Sequence, residues 1–593
     1  MDDADHGRVG APLHEIADGA ALGAASTRRS PRRPTALVIV PGITLAAFAL
    51  PIVAGLAGTL LPAFGYLPAI GGQSLSLQPF LDVVAWPGFA TGVRITLASG
   101  LLATLLSVVC AFGFCAVACS RPWGRRAAAF MAPLLATPHS ALAIGLAFLI
   151  APSGWIARAV SPWLTGWSVP PDVSTVGHAS GAAVVLGLLL KEVPYLVLMI
   201  AAALNQLPWR ERIAAARALG YEPVDAWLRV VLPTVYRQVR LPIYAVLAFS
   251  LSVVDVALIL GPANPPTLAV LALRWFSDAD IRFYFPAAAV ATLLLAIVVA
   301  SIALWRGMEM AVARLGARML ERGRRGGAGP RLARLLAAVV VATFVTTLLA
   351  LSGVALWSAA TQWRFPHAWP AGFDVATWQH RLLALAPAAW TTCKIAVSAT
   401  AIALALALGC LEYEQRRLSR SALPALRMMY LPLLVPQIAF LFGIQVLFVR
   451  AGIDGATPAV IAVHLVFVLP YLFLSLADPY RALDPRYART AASLGASPLR
   501  VFAAVKLPIL ARPIATSCAV GFAVSVGLYL PTLFAGNGRV ATLTTEAVTL
   551  ASGADRRIIG TYALAQSAFP LLVYLVAATL PAWWFRRRRG LGA

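Results

Sequence analysis

The sequence predicts an all-α polytopic membrane protein with about twelve transmembrane helices in two parallel six-helix repeats. Of its 593 residues, 60% are hydrophobic and 12% are charged, against roughly 45–50% and about 25% in a soluble globular protein. The apolar residues occur in runs of about 20, the length of a helix that spans a bilayer. In addition, the second half of the chain repeats features of the first. These observations argue against a soluble enzyme.

The positive charge of the chain is a topology signal. The net charge of +24 could indicate nucleic-acid binding. However, most arginines lie in short clusters between the apolar runs, which is typical of loops on the cytoplasmic side of a membrane. We therefore predict a lipid bilayer as the surrounding medium and no nucleic-acid partner.

The first predicted elements are a polar tail and a retained first span. Residues 1–34 predict a cytoplasmic N-terminal tail that ends in an arginine cluster. The apolar stretch behind it is too long for a signal-peptide core, and no small-residue cleavage site follows it. Breaks at charges, glycine and proline place the twelve spans near 35–60, 92–118, 128–151, 181–205, 241–261, 284–305, 333–357, 386–410, 426–449, 457–477, 513–535 and 559–584.

The basic residues orient these spans. Twelve crossings put both termini on one side, and the segments of that side hold most of the Lys and Arg residues. Both termini are therefore predicted to be cytoplasmic, with the basic C-terminus 586–593 anchoring the last span. The outer loops are all too short to form a catalytic domain.

An internal repeat divides the chain into two similar halves. Residues 219–233, LGYEPVDAWLRVVLP, align without gaps to residues 494–508, LGASPLRVFAAVKLP, and the dipeptide Arg94-Ile95 matches Lys394-Ile395. We predict transmembrane repeats at 35–305 and 335–585, joined by a flexible Arg/Gly-rich cytoplasmic linker at 306–334. With six spans before the linker and six after it, the halves share one orientation and can form a pseudo-dimer about an axis normal to the membrane.

Each repeated loop reads as a short helix, a turn and another short helix. An alanine-rich stretch favours the first helix, and Gly220 or Gly495 can adopt the left-handed conformation that ends it. Pro223 or Pro498 suits the first turn of the next helix. That helix carries Trp227 in one copy and Phe502 in the other, and we expect these side chains on a partly apolar, basic docking surface. The alternative is an interfacial helix resting on lipid headgroups.

The doubled loop resembles the conserved cytoplasmic loop of bacterial ABC importer permeases, Glu-Ala-Ala, three residues, Gly, nine residues, apolar-x-Leu-Pro. The glutamate of that pattern is replaced by Ala214 in one half and by Arg489 in the other, so its role is not carried over. The chain looks most like the fused two-in-one permeases of the iron(III) and thiamine importer group. The matching residues are Ala215, Ala216, Gly220, Leu232 and Pro233 in the first copy and Ala491, Gly495, Leu507 and Pro508 in the second.

This resemblance implies a type I permease fold in a bacterial inner membrane. It also implies a dimeric cytoplasmic ABC ATPase that engages the two loops as coupling helices, and a periplasmic substrate-binding protein. The chain is not predicted to be an enzyme, because it has no phosphate-binding loop of its own. Such a loop needs the sequence Gly-Lys-Ser/Thr. The three lysines of the chain are followed instead by Glu, Ile and Leu (Lys191, Lys394 and Lys506). No cofactor is expected on this chain, and ATP–Mg would be bound by the partner.

Five polar residues are candidates for the substrate pathway. Lys191 and Glu192 lie inside the fourth span, where a lone charge costs about 2.5–3.5 kcal/mol. Asp255 lies in the fifth span, and His139 and Gln437 follow repeated prolines of the third and ninth spans. For each residue the alternative is a structural hydrogen bond.

No metal site is predicted, because the cysteines lie inside apolar runs without CxxC spacing. The rival function is an ion-coupled secondary transporter, which also has repeats and buried charges. It does not explain two matched helix–turn–helix loops. The transported solute cannot be read from the sequence.

Overall fold

The computed structural model describes residues 35–118, 121, 130–131, 133–321, 329–417, 429 and 431–584. The predicted N-terminal tail, the basic C-terminus and the centre of the linker lie outside these residues. Nearly all of the described chain is helical and none of it forms a β-strand beyond two isolated bridges. The predicted all-α class is confirmed.

Twelve α-helices belong to each half of the described chain. Those of the first half are α1 (Thr35–Ala63), α2 (Gln78–Ala85), α3 (Phe89–Ala118), α4 (His139–Ile150), α5 (Trp155–Val160), α6 (Ala182–Asn205), α7 (Trp209–Ala218), α8 (Pro223–Ala226), α9 (Leu232–Ser252), α10 (Asp255–Leu260), α11 (Leu268–Phe276) and α12 (Tyr284–Glu321). Those of the second half are α13 (Gly329–Ala359), α14 (Val375–Arg417), α15 (Leu431–Leu434), α16 (Ile438–Ala451), α17 (Thr457–Arg481), α18 (Pro485–Ser493), α19 (Pro498–Val501), α20 (Leu507–Ile509), α21 (Ala511–Gly527), α22 (Leu530–Gly536), α23 (Leu543–Leu550) and α24 (Arg556–Trp584).

Nine helices of the described residues are long and apolar enough to cross a membrane, and a pair bent by 76° makes a tenth. Three of the predicted spans are interrupted, including the one at 513–535, whose first part, Ala511–Gly527, belongs to the bent pair. The span predicted at 241–261 breaks at residues 253–254, and the one at 513–535 breaks at 528–529, because Val253 and Leu528 have extended backbones. The span predicted at 426–449 has Pro436 just ahead of α16, which leaves a helix of 14 residues.

Helix also covers most of the predicted linker. α12 runs to Glu321 and α13 begins at Gly329, so only the middle of the range 306–334 lies outside the described residues. The alanines, leucines and arginines at both ends of this range favour helix.

The sequence repeat is also a structural repeat. Leu268 at the start of α11 donates its backbone N–H to Thr96 Oγ1 at 2.9 Å, and Leu543 at the start of α23 donates to Thr392 Oγ1 at 2.9 Å. These matched bonds pair Thr96 of α3 with Thr392 of α14. The sequence match of Arg94 with Lys394 is therefore out of register by about one helical turn.

Each half contributes its first helix to the other half. α1 packs against α14 and α16, and α13 packs against α3 and α4. The backbones come close where glycines of α1 meet Gly443 of α16, and Gly443 donates its N–H to Thr59 Oγ1 at 3.2 Å. At the matching crossing, a Cβ on Gly145 of α4 would lie 2.8 Å from the carbonyl oxygen of Ala350 in α13. The halves are thus interlocked.

Candidate functional site

The two repeated loops follow the same backbone course. The first short helix of each ends at a glycine in the left-handed conformation, Gly220 with φ 88° and Gly495 with φ 81°. The next helix begins at Pro223 or Pro498, and in the second copy Ser497 Oγ accepts the N–H of Arg500 at 3.3 Å. The predicted helix–turn–helix is confirmed in both copies.

Both loops lie at one end of the molecule. They follow the C-terminal ends of α6 and α17, where Gln206 Nε2 donates to Asp478 Oδ2 at 3.2 Å. We call this end the loop side. Behind each loop a π-helical turn leads into the next helix, at Trp227–Val231 and at Phe502–Lys506.

Trp227 does not lie on the predicted docking surface. It is 1% exposed, and its ring lies 6.2 Å from that of Phe112. In the second copy Val501 is buried and Phe502 is half-buried. Trp227 and Val501 therefore attach the loops to the body of the protein.

Leucines beside the turn glycines form the exposed apolar part of the loops. Leu219 is 63% exposed and Leu494 is 82% exposed. The second loop also exposes Leu499 at 75% and Tyr487 at 57%. The sequence interpretation missed these residues, although a leucine directly before the glycine in both copies was the available signal.

The remaining motif residues support the loops in different ways. Ala216 is buried under α7, whereas Ala215 is exposed and Ala491 is half-buried. The Leu-Pro pairs open the helices that lead back into the bundle, Leu232 and Pro233 in α9 and Leu507 and Pro508 in α20.

A buried ion pair holds the second loop. Lys506, at the end of the π-helical turn, lies 2.7 Å from Glu412 of α14, and both side chains are almost fully buried. Lys506 Nζ also donates to Gln415 Oε1 at 2.7 Å, and Tyr480 donates its hydroxyl to Glu412. The matching position of the first loop is Val231, which packs in an apolar core.

Lys191 and Glu192 are both buried in α6 and have separate partners. Lys191 Nζ donates to the backbone carbonyls of Leu135, at 2.5 Å, and of Thr137, in the turn that precedes α4. Glu192 accepts hydrogen bonds from Ser250 and, at 3.2 Å, from Ser107. This arrangement matches the structural alternative, in which the two charges tie α6 to α3, α9 and the turn that precedes α4.

The other pathway candidates lie at helix breaks. Asp255 begins α10, directly after the break at 253–254, and Tyr529 lies in the matching break of the second half. His139 begins α4, with its ring 4.7 Å from that of Phe249, and Gln437 stands directly before α16.

A buried amide links the halves near these breaks. Gln566 of α24 is fully buried and donates from Nε2 to Ser140 Oγ of α4 at 2.8 Å and to Thr544 Oγ1 at 2.6 Å. The interface between the halves is therefore polar at its centre as well as at the helix breaks.

Two arginines close the interface at the end away from the loop side. Arg158 of α5 and Arg556 of α24 each donate to the carbonyl oxygen of Ser153 at 2.9 Å, and their guanidinium carbons lie 5.4 and 5.3 Å from the centroid of Trp357. Neighbouring Asp555 is bound by Arg557, whose hydrogen bonds lower the pKa of that carboxyl. We call this arrangement the far-end clasp.

Replacing Arg556 with glutamine is expected to loosen the far-end clasp. The change removes charge-assisted hydrogen bonds worth about 1.5–3 kcal/mol, and amide hydrogen exchange in α5 and the first turn of α24 should become roughly tenfold faster or more. Arg282→Gln is the control, because Arg282 is an exposed arginine paired with Asp280. Equal exchange in the Arg556 variant and the wild type would show that the clasp contributes nothing.

The chain is similar to known transport proteins. No protein-family model matches it. It is 31% identical over 538 residues to the inner membrane ABC transporter permease protein YnjC of Escherichia coli (strain K12), which covers 89% of this chain and 96% of that protein. It is also 31% identical over 176 residues to the molybdenum transport system permease protein ModB of Mycobacterium tuberculosis (strain ATCC 25618 / H37Rv), which covers 28% of this chain and 64% of ModB.

Proposed function

Because this chain belongs to the family of inner-membrane ABC transporter permeases, we propose that it is the transmembrane subunit of a binding-protein-dependent importer. It moves a small solute inward by alternating access, and a dimeric ATPase on the cytoplasmic side drives it. The observation that carries the proposal is the pair of matched loops at one end of the molecule, each with a left-handed glycine and a π-helical turn. A two-fold partner needs two equivalent contacts of this kind.

Each loop leads into a long helix of the bundle, the first directly into α9 and the second through α20 and a 76° bend into α21. When the ATPase subunits bind ATP–Mg and close, the loops move toward each other and carry α9 and α21 with them. These helices end at the breaks before Asp255 and Leu530. Their movement separates the halves at the far end, and hydrolysis resets them.

The loop side is proposed to face the cytoplasm, together with both termini. The positive charge of the segments on that side supports this orientation. A periplasmic binding protein would then deliver the solute at the far-end clasp. Ion-coupled secondary transport has less support, because it leaves the two matched loops without a role.

The solute is proposed by likeness alone. The sequence resemblance favours the iron(III) and thiamine importer group, and ModB is named for molybdenum transport. Iron(III), thiamine and molybdenum are therefore the first solutes to test in uptake assays with the cognate binding protein.

Substitution of Gly495 tests the coupling role of the loops. Valine in the left-handed conformation costs roughly 1–2 kcal/mol, whereas asparagine tolerates it, and no atom lies near the Cβ position of Gly495. In proteoliposomes with the ATPase, Gly495→Val should retain ATP hydrolysis, but its uptake rate should fall at least tenfold. The uptake rate of Gly495→Asn should stay near that of the wild type. The same contrast is expected at Gly220.

Two results would contradict the proposal. One is undiminished uptake by both valine variants. The other is uptake by the chain alone in ATP-free vesicles under an ion gradient, which would favour a secondary transporter.

A further inference from the structure

The two loops present unequal surfaces, and we infer that the second loop is the stronger attachment site for the ATPase. The inference rests on the proposed function and adds an asymmetry to it. A dimeric ATPase offers two equal grooves, so a difference in attachment strength has to come from this chain.

The second loop exposes three large apolar side chains at positions where the first exposes one. Tyr487, Leu494 and Leu499 are 57%, 82% and 75% exposed. Their counterparts in the first loop, by the register of the sequence repeat, are Arg212, Leu219 and Val224, of which only Leu219 is exposed. Arg212 is half-buried and donates from Nη1 to Thr234 Oγ1 at 3.1 Å. A partner groove therefore gains more apolar contact at the second loop.

The charges around these side chains also differ. Between residues 484 and 501 the second loop has three exposed arginines (Arg486, Arg489 and Arg500) and a single acidic residue, Asp484. Between residues 209 and 226 the first loop balances its arginines with acidic residues (Glu211, Glu222 and Asp225). The second loop therefore fits an apolar groove with an acidic rim, and its association should weaken with salt.

The two loops are anchored to the bundle by different residues. Lys506 forms the buried ion pair with Glu412 directly behind the second loop, whereas the first loop is anchored by Val231 and by Trp227, which is 1% exposed, among apolar neighbours. The exposed surfaces therefore differ in apolar area and in charge, and both differences favour the second loop.

Matched aspartate substitutions test the inference. The probe is the P-loop ATPase that copurifies with the wild-type chain, identified by mass spectrometry, expressed alone and titrated onto the chain in nanodiscs. Leu494→Asp should weaken binding at least tenfold, because it removes a buried leucine from the larger interface, at the second loop. Leu219→Asp should weaken binding about two- to threefold, because the interface at the first loop is smaller. Both side chains are exposed, so thermal unfolding should be unchanged.

A transfer of residues provides the second arm. Arg212→Tyr with Val224→Leu gives the first loop the apolar residues of the second, and should recover at least half of the affinity lost in Leu494→Asp. Equal weakening by the two aspartate variants, or greater weakening by Leu219→Asp, would overturn the inference while leaving the proposed function intact. Failure of the purified ATPase to bind the wild-type chain would overturn both.

Discussion

Replacing Gly443 with leucine is expected to prevent stable assembly of the two halves. A Cβ on Gly443 would collide with the carbonyl oxygen of Gly55, and one on Gly58 would lie 2.8 Å from the Cα of Gly443. Both obstacles are backbone atoms, so no side chain can rotate to make room. Overpacking typically costs about 1–3 kcal/mol, and we expect the upper end of that range here. Thermal unfolding in detergent and the yield of folded protein measure the loss.

The controls are glycines in open surroundings. A Cβ on Gly42 of α1 or on Gly307 of α12 would meet no atom within 4 Å. Leucine there should be neutral or slightly stabilising, because it is a better helix former than glycine. Gly145→Leu, at the matching crossing of α4 with α13, should lower stability as Gly443→Leu does. If Gly443→Leu unfolds no earlier than Gly307→Leu, the described crossing of α1 and α16 is incorrect.

Replacing Lys506 with methionine is expected to destabilise the second loop strongly. Removing one partner of a buried ion pair costs about 3–5 kcal/mol, because the other charge stays buried. Arg416 still lies 2.7 Å from Glu412, so the lower end of that range applies. Thermal unfolding and hydrogen exchange in α18 and α21 should both report the change.

The double variant separates lost charge pairing from lost packing. Lys506→Met with Glu412→Gln leaves no uncompensated carboxylate and should regain most of the stability. Arg486→Met is the surface control, because Arg486 lies 4.0 Å from Asp484 with 83% of its side chain exposed, and such pairs contribute about 0–1 kcal/mol. A single variant as stable as this control would show that the ion pair is dispensable.

Local sequence signals predicted local structure well. The spacing of Gly220 to Pro223 and of Gly495 to Pro498 predicted the helix–turn–helix, because a left-handed glycine and a proline at the first helical position are properties of single residues. The long spans were predictable from the apolar runs, because such a run is also a local feature of the sequence.

Features that depend on distant neighbours could not be predicted. Whether Trp227 faces a partner or the bundle depends on the π-helical turn and on Phe112, which lies far away in sequence. The partners of Lys191 are backbone carbonyls in the turn before α4. Every residue has a backbone carbonyl, so the sequence does not indicate which of them accept a hydrogen bond. The break at 253–254 contains no proline, so the apolar run predicted a continuous helix there, whereas Pro531, just after the break at 528–529, was a sequence signal that the prediction missed.

The exchange of first helices between the halves has a consequence for biosynthesis. α1 leaves the ribosome first, yet its glycine contact is to α16, which is made only after the entire first half has been translated. Until α16 has been made, the glycine face of α1 can contact only lipid or the insertion machinery. The contact between α1 and α16 therefore forms late in synthesis, and a chain truncated before α16 would leave the glycine face of α1 uncovered even though α12 and α14 still pack against this helix.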